Sequence, residues 1–244
     1  MRKQRIVKSR NMTEIYDSLY IKSYQGTGKK LRLPKQQPTA EEVKKNNYRL
    51  AKAKLRMLID NNFKEDDYYL TLTFRSAITA EEAKHAIQKF VRDLRKQFKK
   101  EDKELKYIYI AEEKGKVHFH MLVNKEIEIT TKMMRKVWPH GFADIRHYRG
   151  TAEDAIAMAE YFTKERKDNA EASEVKKVFR RTWVKSNNVH PPEEKEKIVK
   201  STEWKKEVKV PTGYYLDKDS YYEGINNLGY PYRFYRLIRL NQKE

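Results

Sequence analysis

The stretch that most constrains this fold lies between residues 105 and 123. Leu105-Lys106-Tyr107-Ile108-Tyr109-Ile110-Ala111 and Lys116-Val117-His118-Phe119-His120-Met121-Leu122-Val123 are two apolar runs rich in aromatic and β-branched residues. Such side chains pack well on a pleated surface and favour extended backbone. Only Glu112-Glu113-Lys114-Gly115 separates the runs, so the chain turns back on itself as a β-hairpin. A hairpin commits the fold to an antiparallel sheet, but two strands alone are marginal in water. Further strands and a covering layer must come from elsewhere in the chain.

Side chains alternate faces along a strand, so His118 and His120 point the same way as neighbours. Two imidazoles converging from one strand can hold a metal ion, or can simply pack on a sheet face. An acid lies close by. With a three-residue turn, Glu112 shares the histidine face; with a two-residue turn, Glu113 takes it. Either way one carboxylate joins two imidazoles. A mixed nitrogen and oxygen donor set suits Mn²⁺ and tolerates Mg²⁺.

The remaining elements complete a mixed fold. Thr39-Ala40-Glu41-Glu42 is a capping box opening a helix to about Asn62, with Val43, Leu50, Leu55, Leu58 and Ile59 as its apolar stripe. Tyr68 to Phe74 alternates Tyr69, Thr71 and Thr73 against Leu70, Leu72 and Phe74, the pattern of a half-buried strand. Thr79-Ala80-Glu81-Glu82 caps a second helix, with Ala83, Ile87, Phe90, Leu94 and Phe98 at helical spacing. A short helix follows over 130–138, a strand over 141–146, and a helix from Thr151 with an acidic first turn. On that last helix Tyr161 and Lys164 are three positions apart and share a face. The expected fold class is therefore α+β. A central antiparallel sheet in a ferredoxin-like arrangement has helices packed on one face and His118 and His120 on the other. A helical N-terminal extension and a Tyr-rich C-terminal extension flank it. The expected segments are a basic arm and helix over 1–64, a central domain over 65–170, and a basic, Tyr-rich extension over 171–244.

Charge narrows the partner. Lys and Arg number 54 against 35 Asp and Glu, a net charge of +19, which favours a polyanion and above all nucleic acid. There is no cysteine, so disulfides and thiolate metal sites are excluded, and a reducing, cytoplasmic setting is expected. No run approaches the ~18 apolar residues that a membrane helix needs. The basic N-terminus lacks the apolar run of a secretory signal. Gly26-Thr27-Gly28-Lys29-Lys30 resembles a phosphate loop only briefly. A Walker A motif requires Gly where Ser23 stands and Ser or Thr where Lys30 stands, so no nucleotide cofactor is expected. Beyond residue 171, Arg180 and Arg181 sit among aromatics, and Tyr214, Tyr215, Tyr221, Tyr222, Tyr230, Tyr232 and Tyr235 follow. Aromatics among arginines can stack bases, but such a tail more often packs back on its own domain.

Three pieces in order carry a resemblance: Tyr69-Leu70-Thr71-Leu72-Thr73-Phe74, His118-Phe119-His120, and Tyr161-Phe162-Thr163-Lys164. The chain resembles the HUH endonucleases that start rolling-circle replication, within them the replication-associated proteins of Gram-positive plasmids and integrated elements, grouped with the filamentous-phage gene II protein. Asp60-Asn61-Asn62-Phe63 and Trp138-Pro139-His140-Gly141-Phe142 look like the same subgroup. The hairpin departs from many relatives in its short acid-to-His spacing, which bears on the choice between Glu112 and Glu113. An even offset keeps Glu112 in phase with His118 and favours it.

The resemblance implies a site-specific single-strand DNA nickase and strand transferase. Tyr161 would be the nucleophile, leaving a 5′-phosphotyrosine and a free 3′-hydroxyl, with Lys164 offsetting charge beside it. His118, His120 and Glu112, with Glu113 as second choice, would hold Mn²⁺ or Mg²⁺. Thr71, Thr73, Arg146, Arg149, Arg180 and Arg181 are the expected DNA contacts. The implied partners are single-stranded DNA at a replication origin and a host helicase and polymerase, with no membrane partner. Two other readings compete: a non-catalytic basic nucleic-acid-binding protein, and an HUH relaxase or transposase with the same chemistry. Tyr148 is the rival nucleophile, but it lies in Arg146-His147-Tyr148-Arg149-Gly150 without a Lys at the required spacing. His85, His140, His147 and His190 show no partner pattern.

Overall fold

The structure is a computed structural model, which describes residues 1–19, 39–114, 116–163, 175, 178–179, 182–201, 203, 205, 207–225 and 231–240. It divides into two compact units: Met1–Ala51 with Pro191–Glu244, and Lys52–His190. The elements run β1 (Arg2–Lys8), β2 (Met12–Leu19), α1 (Ala40–Asn62), β3 (Tyr68–Thr73), α2 (Ala80–Lys100), β4 (Tyr107–Lys114), β5 (Lys116–Val123), α3 (Thr131–Val137), β6 (Ala143–His147), α4 (Ala152–Thr163), β7 (Val184–Lys185), β8 (Glu193–Val199), β9 (Tyr214–Ile225) and β10 (Pro231–Arg239). The fold is α+β, with two antiparallel five-stranded sheets. No helix among the described residues is long and apolar enough to cross a membrane.

The Lys52–His190 unit contains the expected hairpin. Its sheet has the order β6-β3-β5-β4-β7. Glu112 opposes His118, and Lys114 opposes Lys116, so both strands extend to the turn at Gly115, which lies outside the described residues. One face of the sheet presents Leu70, Leu72, Tyr109, Phe119 and Met121. These pack with Ala83, Ile87, Phe90, Leu94 and Phe98 of α2, and with Met134 and Val137 of α3. Each such side chain removed from water stabilises the fold by roughly 1.5–3 kcal/mol. Helix α2 starts where the sequence places it. Thr79 and Glu82 form a reciprocal capping box, while Lys99 and Lys100 end the helix against its negative dipole end.

Helix α1 also opens on its capping box: Thr39 N–H donates to Glu42 Oε2 at 2.8 Å, and Glu42 N–H to Thr39 Oγ1 at 3.2 Å. Its expected apolar stripe is divided. Leu55, Leu58 and Ile59 are buried, whereas Val43 and Leu50 are 42% and 50% exposed. A helical period marks a face but does not say how far along the helix a covering layer extends.

Two loops brace β3. Asp67 is buried and accepts from Lys64 N–H and Lys125 N–H at 2.8 Å each, tying together the segments that flank the sheet. At the other end of the strand, Trp138 is buried and donates from Nε1 to the Thr73 carbonyl at 3.1 Å. A side chain at Gly141 would collide with that same carbonyl, which is why glycine follows His140. Asn62 and His190 close the unit: Asn62 Nδ2 donates to the His190 carbonyl at 2.7 Å, and His190 N–H donates to Asn62 Oδ1 at 2.9 Å.

The Met1–Ala51 and Pro191–Glu244 unit holds the second sheet, ordered β8-β1-β2-β10-β9. The Tyr-rich segment supplies β9 and β10, and β10 pairs with β2. The N-terminal residues expected to form a poorly periodic basic arm begin instead with two strands. Their apolar core is small, centred on Ile15, Tyr235 and Leu237. Beside it lie buried ions: Arg2 and Arg233 on Asp17, and Arg236 on Glu14 and Asp217. Charged residues at inward positions erase the apolar alternation by which a strand is recognised. The Gly26–Lys30 segment and Tyr230 lie outside the described residues.

Candidate active site

The site grows from strand register. On β5, His118 and His120 face one way. Across from them on β3 stand Thr73 and Thr71, and across on β4 stand Glu112 and Ile110. Antiparallel partners share a face, so Glu112, His118, His120, Thr71 and Thr73 form one patch. Glu113 opposes Val117 and belongs to the opposite face.

Glu112 Oε2 lies 3.2 Å from His118 Nε2 and 3.0 Å from His120 Nε2. One donor atom from each of the three residues falls within 4.8 Å of the others. Glu112 and His120 are buried and His118 is half-buried, so the cluster is sheltered from water. The outer nitrogens are engaged as well. His118 Nδ1 is 3.1 Å from the Lys116 carbonyl, and His120 Nδ1 is 2.8 Å from Tyr69 Oη and 3.4 Å from Thr71 Oγ1. A proton held on Nδ1 by such a partner leaves the Nε2 lone pair free for a cation. The donor chemistry and the second layer therefore both fit a divalent metal held by Glu112, His118 and His120. Burial pushes the Tyr69 hydroxyl up to about 12, so it stays protonated beside His120 at neutral pH.

Helix α4 stands on the histidine face, opposite the layer formed by α2 and α3. Tyr161 Oη donates to Glu112 Oε2 at 2.5 Å and lies 3.0 Å from His120 Nε2. The Tyr161 residue as a whole is 42% exposed, so its ring reaches the cluster while remaining open to solvent. The rival Tyr148 is buried, and its backbone N–H donates to the Asp67 carbonyl. Lys164, Arg180 and Arg181 lie outside the described residues.

The other expected contacts sit around this patch. Arg146 opposes Tyr69 on β3, which puts it on the site face; it is exposed and donates to Asp144 at 2.7 Å. Arg149 is exposed and pairs with Asp154 in the first turn of α4. His147 and His190 hold backbone groups, and His140 packs against the Phe74 and Trp138 rings. Sequence reasoning missed the role of Tyr69 as support for His120. The signal was present in the alternation of β3, which put Tyr69 on the face of Thr71 and Thr73.

Fold and site together define a class. It is an α+β domain whose antiparallel sheet carries a candidate Glu-His-His metal centre with a tyrosine from a neighbouring helix at its edge. The comparison with protein families agrees with that class: residues 67–166 belong to the family of the replication-associated proteins ORF2 and gene II protein. The matched segment runs from the start of β3 to just past α4, so it contains every member of the Glu112, His118, His120 and Tyr161 cluster. No curated protein sequence and no solved structure matches the chain.

Proposed function

We propose that the chain is a rolling-circle replication initiator. On this reading it is a metal-dependent, site-specific single-strand DNA endonuclease and strand transferase, with its nicking domain over residues 65–170. The observation that carries this is the Tyr161 hydroxyl at the edge of the Glu112, His118 and His120 cluster. The family match over 67–166 supports the link to replication, and the +19 charge supports a DNA partner.

The reaction is a transesterification. The Tyr161 oxygen forms a bond to the scissile phosphorus, and the bond from phosphorus to the 3′-oxygen breaks. The 5′-phosphate stays on Tyr161, and the 3′-oxygen takes a proton and leaves as a hydroxyl that can prime synthesis. One phosphoester replaces another, so the step reverses and the same residues can rejoin ends. A phenol with a pKa near ~10 is a weak nucleophile at neutral pH, so positioning matters. Glu112 and His120 hold the hydroxyl in place, and Glu112 is placed to accept its proton. A divalent cation, Mn²⁺ or Mg²⁺, held by Glu112, His118 and His120 would polarise the scissile phosphate. Lys164 follows Tyr161 by three positions and would offset phosphate or phenolate charge. Thr71, Thr73, Arg146, Arg149, Arg180 and Arg181 would contact the strand. Unwinding and copying fall to a host helicase and polymerase in the cytoplasm.

Incubation with single-stranded origin DNA and Mn²⁺ should give a covalent protein–DNA adduct, and Tyr161→Phe should abolish it. An adduct of equal yield in Tyr161→Phe would overturn the assignment.

A further inference from the structure

The edge strand β6 borders the site, and its outward residues have no part in the chemistry above. Asp144 opposes Thr71 and Arg146 opposes Tyr69. Phe142, just before the strand, continues this register: Thr73 N–H donates to the Phe142 carbonyl at 2.9 Å, and Phe142 N–H donates to the Thr73 carbonyl at 3.1 Å. Phe142 therefore shares a face with Thr73, and through Thr73 with His118 and Glu112. One row crosses the sheet in the order Phe142, Thr73, His118, Glu112. Neighbouring strands lie roughly 4.8 Å apart, so Phe142 stands about 10 Å from His118 on the same surface.

Phe142 is 74% exposed, more than any other large apolar residue among those described. A scattered exposed apolar side chain is ordinary. Phe142 differs because its backbone is fixed from several directions. Besides the paired bonds to Thr73, Arg75 N–H donates to the His140 carbonyl at 3.1 Å, and Trp138 Nε1 donates to the Thr73 carbonyl at 3.1 Å. Gly141 allows the loop to close against β3 because any side chain there would strike the Thr73 carbonyl. A rigid mount that presents an uncovered ring to water has no packing purpose. It does suit a flat apolar ligand, since little freedom is lost when the ring is covered. Further along the same edge, Arg146 is exposed and can meet a phosphate.

We propose that Phe142 is a base-stacking residue for single-stranded DNA, seating a nucleotide close to the scissile phosphate on the histidine face. This rests on the reading of the site as a nicking centre. A nucleobase is the one part of such a strand that matches a bare phenyl ring, and stacking tolerates any base. The neighbouring Arg146 supplies the charge that a ring lacks. The inference also gives a purpose to Trp138-Pro139-His140-Gly141-Phe142: its first residues build the mount and its last is the contact.

The test uses the full chain and a fluorescein-labelled oligo(dT) strand, whose binding needs neither a nick site nor Tyr161. Phe142→Ala should weaken binding by roughly tenfold, as loss of one stacked base predicts. Phe142→Trp should bind at least as well as the original chain. Mn²⁺ affinity should stay unchanged in both variants. A strand with 5-iodouracil in place of thymine should photocrosslink to the peptide containing Phe142. Equal oligo(dT) affinity in Phe142→Ala, or crosslinking only to other peptides, overturns the proposal. A Phe142→Ala chain that also loses Mn²⁺ overturns it too, because Phe142 would then be holding the site together. If no strand forms an adduct with the original chain while binding still depends on Phe142, the nicking reading fails and the stacking contact stands.

Discussion

The two sheets have the same strand number and the same antiparallel pairing, yet they are held together by different physics. The β6-β3-β5-β4-β7 sheet buries an almost wholly apolar face under α2 and α3. The β8-β1-β2-β10-β9 sheet has a small apolar core and fills its interior with Arg2, Glu14, Asp17, Arg233 and Arg236. Apolar burial stabilises in proportion to area and needs no particular partner. A buried ion pair stabilises only when each charge is met, and losing one member leaves the other stranded. The first kind of sheet can therefore carry polar chemistry on its second face, where Glu112, His118 and His120 sit.

The largest effect should come from the apolar side. Phe119 is fully buried between the sheet and Trp138, and Phe119→Ala should cost about 3–5 kcal/mol. Urea unfolding combined with hydrogen exchange of the β5 amides would show it, and a cost below about 1 kcal/mol would mean that this core is not the dominant support.

Next in size, Asp17→Asn should destabilise the other sheet by about 3 kcal/mol, because Arg2 and Arg233 then lose their shared carboxylate. The β2 amides should report that loss while the β5 amides remain protected. Loss of protection in both sheets together would break the contrast.

A smaller effect concerns the site face. Tyr69→Phe removes the group beside His120 Nδ1 and should weaken Mn²⁺ binding roughly tenfold without changing β5 protection. Unchanged affinity would show that Thr71 alone orients the ring.

The smallest effect is seen in alkali. Burial pushes the Tyr109 hydroxyl from 10.0 up to about 12, with the neighbouring Tyr107 adding to the shift. A raised folded-state value gives stability that is complete below pH 10 and is lost as pH rises toward 12. Tyr109→Phe should flatten that loss in an unfolding series across this range, and an unchanged slope would locate the titrating group elsewhere.

Much of the site was legible because it rests on local periodicity. Alternation placed His118, His120 and Glu112 on one face, and it placed Tyr69 with Thr71 and Thr73. Helical spacing gave α2 its buried residues from Ala83 to Phe98. The strands β1 and β2 escaped notice for the converse reason. Their inward positions include Glu14 and Asp17, whose partners Arg233 and Arg236 lie more than two hundred residues away in sequence. No local pattern encodes such a pairing.

The sequence by itself determined the hairpin, the histidine pair and the residue types that could serve as acid and nucleophile. These follow from side-chain alternation and from the chemistry of imidazole, carboxylate and phenol. Only the tertiary structure decided that Glu112 opposes His118, that α4 crosses the histidine face to bring the Tyr161 hydroxyl to Glu112, and that Phe142 continues the same row at the sheet edge. Those facts depend on strand register and helix placement. Both are set by how distant segments share one core, and that sum over long-range contacts is not written in any single stretch of the chain.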